Sequence, residues 1–195
     1  MATVGQGNDL EKMGPLARLV GIWEGVKGAD VAPSDDRGTE QNSFHERITF
    51  DPIEPVQNHE QQLFGLRYAT IATRIGDKVP FHEEVGYWLW DLAARQVMKS
   101  FIVPRGITVL AGGSADALAR ELKLVAELGS PTFGICSNPF LDREFRTFRF
   151  ELTVRFQWRE SRTQDEWSYD EDTQLMMPGR PEVFHHTDRN VLRRK

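Results

Sequence analysis

From Phe148 to Trp158 the chain alternates without a break. Phe148, Phe150, Leu152, Val154, Phe156 and Trp158 fall on one parity; Arg149, Glu151, Thr153, Arg155 and Gln157 fall on the other. A helix would scatter six large apolar side chains around its surface, whereas an extended strand places them all on one side. The run therefore calls for a sheet with one covered face and one wet face. The pattern recurs at Phe44, Glu46, Ile48 and Phe50, opposite His45, Arg47 and Thr49, and ends at Asp51-Pro52.

Further strands are expected over 20–26, 62–74, 81–91, 96–103, 107–111, 167–175 and 182–193. Turn-like separators stand at 75–78, 104–106, 112–114 and 160–163. The stretch 115–128 has the Ala, Leu, Glu and Lys content of a helix. Leu118, Leu122 and Leu124 nevertheless alternate with Ala117, Ala119, Glu121 and Lys123, and both neighbours are strands, so it reads as strand. Residues 16–20 read as a short helical turn. Residues 1–14, Gly-rich and polar, read as a tail, and 15–195 as a single domain.

About ten mostly one-face-apolar strands joined by short turns form an antiparallel meander, which must cover its apolar face and protect its edges. Closure into an up-and-down β-barrel of about ten strands, calycin- or lipocalin-like, does both; a β-sandwich is the structural alternative. Eight strands enclose just enough room for side chains or one small ligand, and about ten enclose more. The hydrophobic content of 39% is modest for a solid core in 195 residues and suits a hollow barrel.

Composition excludes several functions. A mean hydropathy of −0.47 and the lack of any apolar run near the roughly 18 residues of a spanning helix argue against the membrane. The net charge of −5 leaves no basic excess to neutralise nucleic-acid phosphates. A single cysteine, Cys136, allows no intramolecular disulfide and suits a reducing cytoplasm, and the first residues lack the basic and apolar regions of a signal peptide. Nucleophile-elbow, phosphate-loop and dinucleotide motifs are all missing. The acidic residues at 165–172 lack the Gly and spacing of a calcium loop. Glu171 shares a parity with Trp167, Tyr169 and Thr173, giving that strand a partly polar inner face.

Gly21-Ile22-Trp23-Glu24-Gly25 resembles the opening of calycin barrels, in which the Trp plugs one end and a late Arg stacks on it; Arg193-Arg194 offers that partner. Together with Phe81-His82-Glu83-Glu84-Val85-Gly86-Tyr87-Trp88 and the late His186, the chain resembles the nitrobindin family of FABP-like haem-binding β-barrels over roughly 16–195. The resemblance implies haem b held by a histidine of the last strand with the other axial face open. It also implies ferric haem that isomerises peroxynitrite to nitrate and binds nitric oxide. His185 and His186 both match. Parity favours His186, since an inward His185 would take Arg189 and Arg193 inside with it, at a high desolvation cost. Asp188, on the same face, offers an acceptor for the second ring nitrogen. After the first motif the chain reads Val26-Lys27-Gly28-Ala29-Asp30-Val31-Ala32-Pro33 instead of the family's Gly-x-Gly and Tyr-Pro. His186 is followed by Thr187 rather than Leu, which marks a divergent branch.

A second reading is a non-catalytic carrier of a fatty acid or similar apolar ligand, its carboxylate held by Arg67, Arg105 or Tyr169. A third is a barrel filled by its own side chains that acts through protein contacts. His82, flanked by Glu83 and Glu84, lacks a second ligand at metal-site spacing and reads as structural. In the first two readings the partner is a small molecule inside the barrel. The pattern leaves the oligomeric state open, a homodimer included.

Overall fold

The structure, a computed structural model, describes residues 11–157 and 165–195. A 3-10 helix, Gly14–Arg18, precedes the strands β1 (Gly21–Ala32), β2 (Glu40–Asn58), β3 (Gln61–Arg74), β4 (His82–Asp91), β5 (Gln96–Val103) and β6 (Ile107–Ser114). Then follow β7 (Glu121–Leu128), β8 (Gly134–Ser137), helix α1 (Pro139–Glu144), β9 (Arg146–Gln157), β10 (Glu166–Met177) and β11 (Arg180–Arg194). The sheet closes on itself because β1 pairs with both β2 and β11. Trp158 and the turn expected at 160–163 lie outside the described residues.

The barrel corrects several expectations: it has eleven strands among the described residues rather than about ten, its pairing is mixed rather than purely antiparallel, β2 continues past Asp51-Pro52, and β6 runs through the turn expected at 112–114. The first two differences arise at β8. Strands β6 and β7 touch at a single register pair, Gly112 with Val125, and then diverge. The short β8 fills that gap, antiparallel to β6 and parallel to β7, with which it shares only Glu127–Gly134 and Leu128–Ile135. A wedge this short needs no long crossover. The ambiguous stretch 115–128 divides into turn and then strand, with β7 taking its C-terminal half. Beyond β8, Asn138 caps α1 by accepting hydrogen bonds from the backbone N–H of Phe140 and Leu141, and Pro139 occupies the first turn.

The interior has two apolar clusters separated by a polar band. The larger closes one end, where Leu16 and Leu19 of the N-terminal turn pack with Trp23, Trp90, Trp167 and Leu192. Met13, within the expected tail, is already buried there. The Trp23 indole N–H donates to Leu19 O at 2.6 Å, and the Arg194 guanidinium lies 4.4 Å over the Trp23 ring. Arg194 supplies the stacking, and Arg193 faces solvent. Toward the other end lies the small cluster of Leu175, Met177 and Phe184.

Candidate functional site

Along β11 the buried residues Phe184, Asn190 and Leu192 mark the inner face, and the alternation puts His186 and Asp188 on it too. His185 faces out, 57% exposed, its Nδ1 2.8 Å from Asp172 Oδ2. On β10 the same alternation turns Glu171 inward, opposite Asp188 in the register. Asp30 of β1 is the partner of Asp188 on the other side. Three carboxylates therefore stand in one row across three adjacent strands, with His186 one step along.

Asp30 reaches the interior only because β1 carries a bulge. Gly25 pairs with Glu46 and Gly28 with Phe44, so β1 has one residue more than β2 over this interval. The extra residue reverses the parity: Trp23 and Gly25 face inward before it, Gly28 and Asp30 after it. Gly28 permits this, since a Cβ there would stand 2.4 Å from the Phe44 ring.

His186 Nε2 lies 3.0 Å from Asp30 Oδ1 and 3.5 Å from Asp188 Oδ2. Asp30, only 2% exposed, also accepts from Asn42 Nδ2 at 2.7 Å. Burial works to raise the Asp30 pKa, but hydrogen bonds from His186 and Asn42 and the His186 charge outweigh it and hold it below the usual range. Burial likewise opposes protonation of His186, yet the Asp30 hydrogen bond and the Asp188 charge leave its pKa raised. Asp188 is pushed well up by burial, against the pull of His186.

Deeper in the band, Lys99 of β5 approaches Glu84 Oε1 at 2.9 Å and Glu171 Oε2 at 3.9 Å, its ammonium 4.1 Å from the Phe101 ring. Burial disfavours the Lys99 charge, but Glu84 and Glu171 more than compensate and its pKa is raised. Tyr68 donates to Glu84. Glu46 accepts from Tyr169 at 3.0 Å and from Asn190 at 3.1 Å, and burial pushes it up to about 7. Glu171 is also pushed up to about 7, by burial against the opposing Lys99 charge. Desolvation without enough cationic partners is the common cause.

Several inward-pointing groups of this band keep some solvent exposure. His186 is 29%, Asp188 24% and Glu171 19% exposed, although all three point inward. The neighbouring wall, where Leu152 of β9 pairs with Glu171 and is followed by Leu122, Leu124, Val109 and Ala111 of β7 and β6, is apolar and buried. His82 enters the inner face at the rim, 3.9 Å from Glu84. Of the other residues singled out in the sequence, Tyr169 belongs to the band. Arg67 lies outside against Asp51, 3.6 Å away, and Arg105 donates to the Phe81 carbonyl from a turn. Cys136 is exposed on β8.

The sequence matches, over residues 12–194, the family described as THAP4-like, heme-binding beta-barrel domain. The chain belongs to that family of haem-binding β-barrels. Among solved structures, Rv2717c from M. tuberculosis aligns with a TM-score of 0.65 at 23% identity, over 92% of this chain and 94% of that one. This likeness concerns the fold. A barrel-like protein of the domain of unknown function DUF1849 from Brucella abortus aligns over 90% of this chain and 97% of its own at 9% identity, with a TM-score of 0.27 too low to carry any argument. No curated protein matches the chain in sequence.

The haem-binding β-barrel family implies a porphyrin, and the residues around His186 can be tested against one. Iron on Nε2 would stand about 2 Å beyond that nitrogen, as first-row metals do on imidazole. The macrocycle fills the four equatorial positions, leaving one protein atom per axial face. Here two carboxylate oxygens already crowd the ligating nitrogen at 3.0 and 3.5 Å, in the space a porphyrin plane needs. Asp188, which parity suggested as the partner of the other ring nitrogen, approaches the same one. As arranged, this site does not fit haem.

Proposed function

We propose that this barrel binds a small cationic group at an acidic site inside it, in the cytoplasm that its lone cysteine suggests, with residues 15–195 acting as one domain. The observation that carries this reading is the charge of the barrel's inner face. Asp30, Glu46, Glu84, Glu171 and Asp188 all face inward, while among the described residues the basic groups turned to the same band are Lys99, His186, the rim residue Arg74 and His82, whose charge burial disfavours. Burying carboxylates without matching cations is costly, and an entering cation relieves that cost. A fatty acid would need the reverse arrangement, an apolar cavity and a free cation. Lys99 is committed to Glu84, and Arg67 and Arg105 lie outside.

A second reading rests on the family match over 12–194: haem b, with His186 as axial ligand, the activities then being nitric oxide binding and isomerisation of peroxynitrite to nitrate. It requires Asp30 and Asp188 to leave Nε2.

One set of measurements separates these readings. The full chain is melted with spermidine, with palmitate and alone, and titrated with ferric haem while the Soret band is followed. The cationic reading expects spermidine to raise the melting temperature, an effect lost in Glu171→Gln/Asp188→Asn, with no change from palmitate and no ligated haem spectrum. A ligated Soret band that disappears in His186→Ala would establish the haem reading instead. Stabilisation by palmitate alone would point to the fatty-acid carrier.

A further inference from the structure

We propose that Asp30, His186 and Asp188 form a binding site for one divalent first-row metal ion, coordinated directly by protein side chains without a porphyrin. The proposal rests on the cationic reading of the interior and names the cation. Oxygen and nitrogen atoms of these three residues lie within 4.8 Å of one another. Two of the separations, 3.0 Å from His186 Nε2 to Asp30 and 3.5 Å to Asp188, are already close to ligand spacing. Bonds of about 2.0–2.1 Å in a tetrahedron put neighbouring ligands about 3.3 Å apart. The same crowding that leaves no room for a macrocycle thus suits a bare ion.

The backbone prepares this set. His186 and Asp188 are two residues apart on one strand face, and Asp30 is the cross-strand partner of Asp188. Like charges directly opposite one another in a sheet are destabilising, yet Asp30, Asp188 and Glu171 face inward in one row. A divalent ion among them turns this repulsion into attraction.

Independently of the three ligands, Glu171 accepts no hydrogen bond among the described residues, and its nearest cation is Lys99 at 3.9 Å. This inward carboxylate, the cross-strand partner of Asp188, is available as a further ligand or as acceptor for a metal-bound water. One imidazole with two carboxylates is a mixed nitrogen and oxygen set, which suits Zn2+, Mn2+ or Fe2+ better than Ca2+. Ligation at Nε2 requires that nitrogen to be free of a proton, so uptake strengthens as pH rises.

Co2+ reports such a site directly, because its visible absorption bands show geometry and ligation. The full chain, stripped with a chelator and dialysed, is titrated with Co2+ and then with Zn2+ as competitor. We expect one equivalent of Co2+ per chain with low-symmetry visible bands that Zn2+ abolishes. His186→Ala and the near-isosteric Asp188→Asn should each weaken binding beyond the roughly 10–100-fold that loss of an outer partner costs. His185→Ala removes the exposed His185–Asp172 pair and should change nothing. If His186→Ala fails to fold, Asp188→Asn decides. Absence of stoichiometric uptake by the wild type, undiminished uptake in both site variants, or loss in His185→Ala would overturn the proposal. Stabilisation by spermidine without metal uptake would refute the metal centre and leave the cationic pocket standing; failure of both cations would refute both.

Discussion

Glu46 offers a direct test of how much free energy the polar band withholds from the fold. It sits on the apolar face of β2 between Phe44 and Ile48, and its Oε2 accepts from Tyr169 and Asn190. Burial raises its pKa from the ordinary 4.5 to about 7. The folded state therefore holds this proton more tightly than the unfolded chain does, so stability falls as pH rises. The contribution is complete below pH 4.5 and is lost as pH climbs through about 7. A rise of that size corresponds to about 3 kcal/mol, a large fraction of the stability of an ordinary domain. Glu46→Gln keeps an acceptor for both donors and places an N–H where the acid would carry its proton. Urea denaturation of the two proteins in chelator, at intervals from pH 4.5 to 8.5, should give equal stabilities at the acid end. At the alkaline end the variant should be more stable by about 3 kcal/mol. A difference that stays flat across this window would show that Glu46 does not take up a proton on folding. A variant less stable at pH 8.5 would mean that the carboxylate, not the acid, is the form the fold prefers.

Two further perturbations probe the same architecture. Lys99→Met leaves Glu84 and Glu171 without their ammonium and should cost about 3–5 kcal/mol in urea denaturation. Adding Glu84→Gln should restore most of the loss, whereas equal effects of the single and double variants would show that the ion pair is not the cause. Gly28→Ala sets a methyl against the Phe44 ring at 2.4 Å and should destabilise by about 1–3 kcal/mol. Because the bulge is what turns Asp30 inward, its loss should also diminish Co2+ uptake, and a variant with unaltered stability and uptake would contradict that account.

The alternation in β9 and β2 was sufficient to require long strands with one covered face, and closure followed from the need to remove edges. It could not reveal β8, a four-residue strand in a segment without period, held between β6 and β7 by a divergence of the sheet itself. The short α1 was similarly hidden, although Asn138-Pro139 is a recognisable helix start. Within the band, Glu46 stood on an apolar parity and Glu171 was visible on a partly polar inner face. Lys99, alternating with Val97, Phe101 and Val103, carried the same signal unread. Asp30 gave no such signal, because counting along β1 from Trp23 assigns it to the outer face.

The sequence by itself determined the strand pattern, the end plug built on Trp23, the inward parity of His186 and the family to which the barrel belongs. These depend on periodicity and on local residue order, which are linear properties. The character of the site was decided only in three dimensions. A one-residue bulge reversed β1, closure set Asp30 beside Asp188 and His186, and the register put Glu171 at the end of the row. Electrostatic cost depends on which charges become neighbours after closure, and that is a property of register and parity rather than of composition. A histidine that resembles an axial haem ligand in the linear chain therefore stands in the folded barrel between two carboxylates.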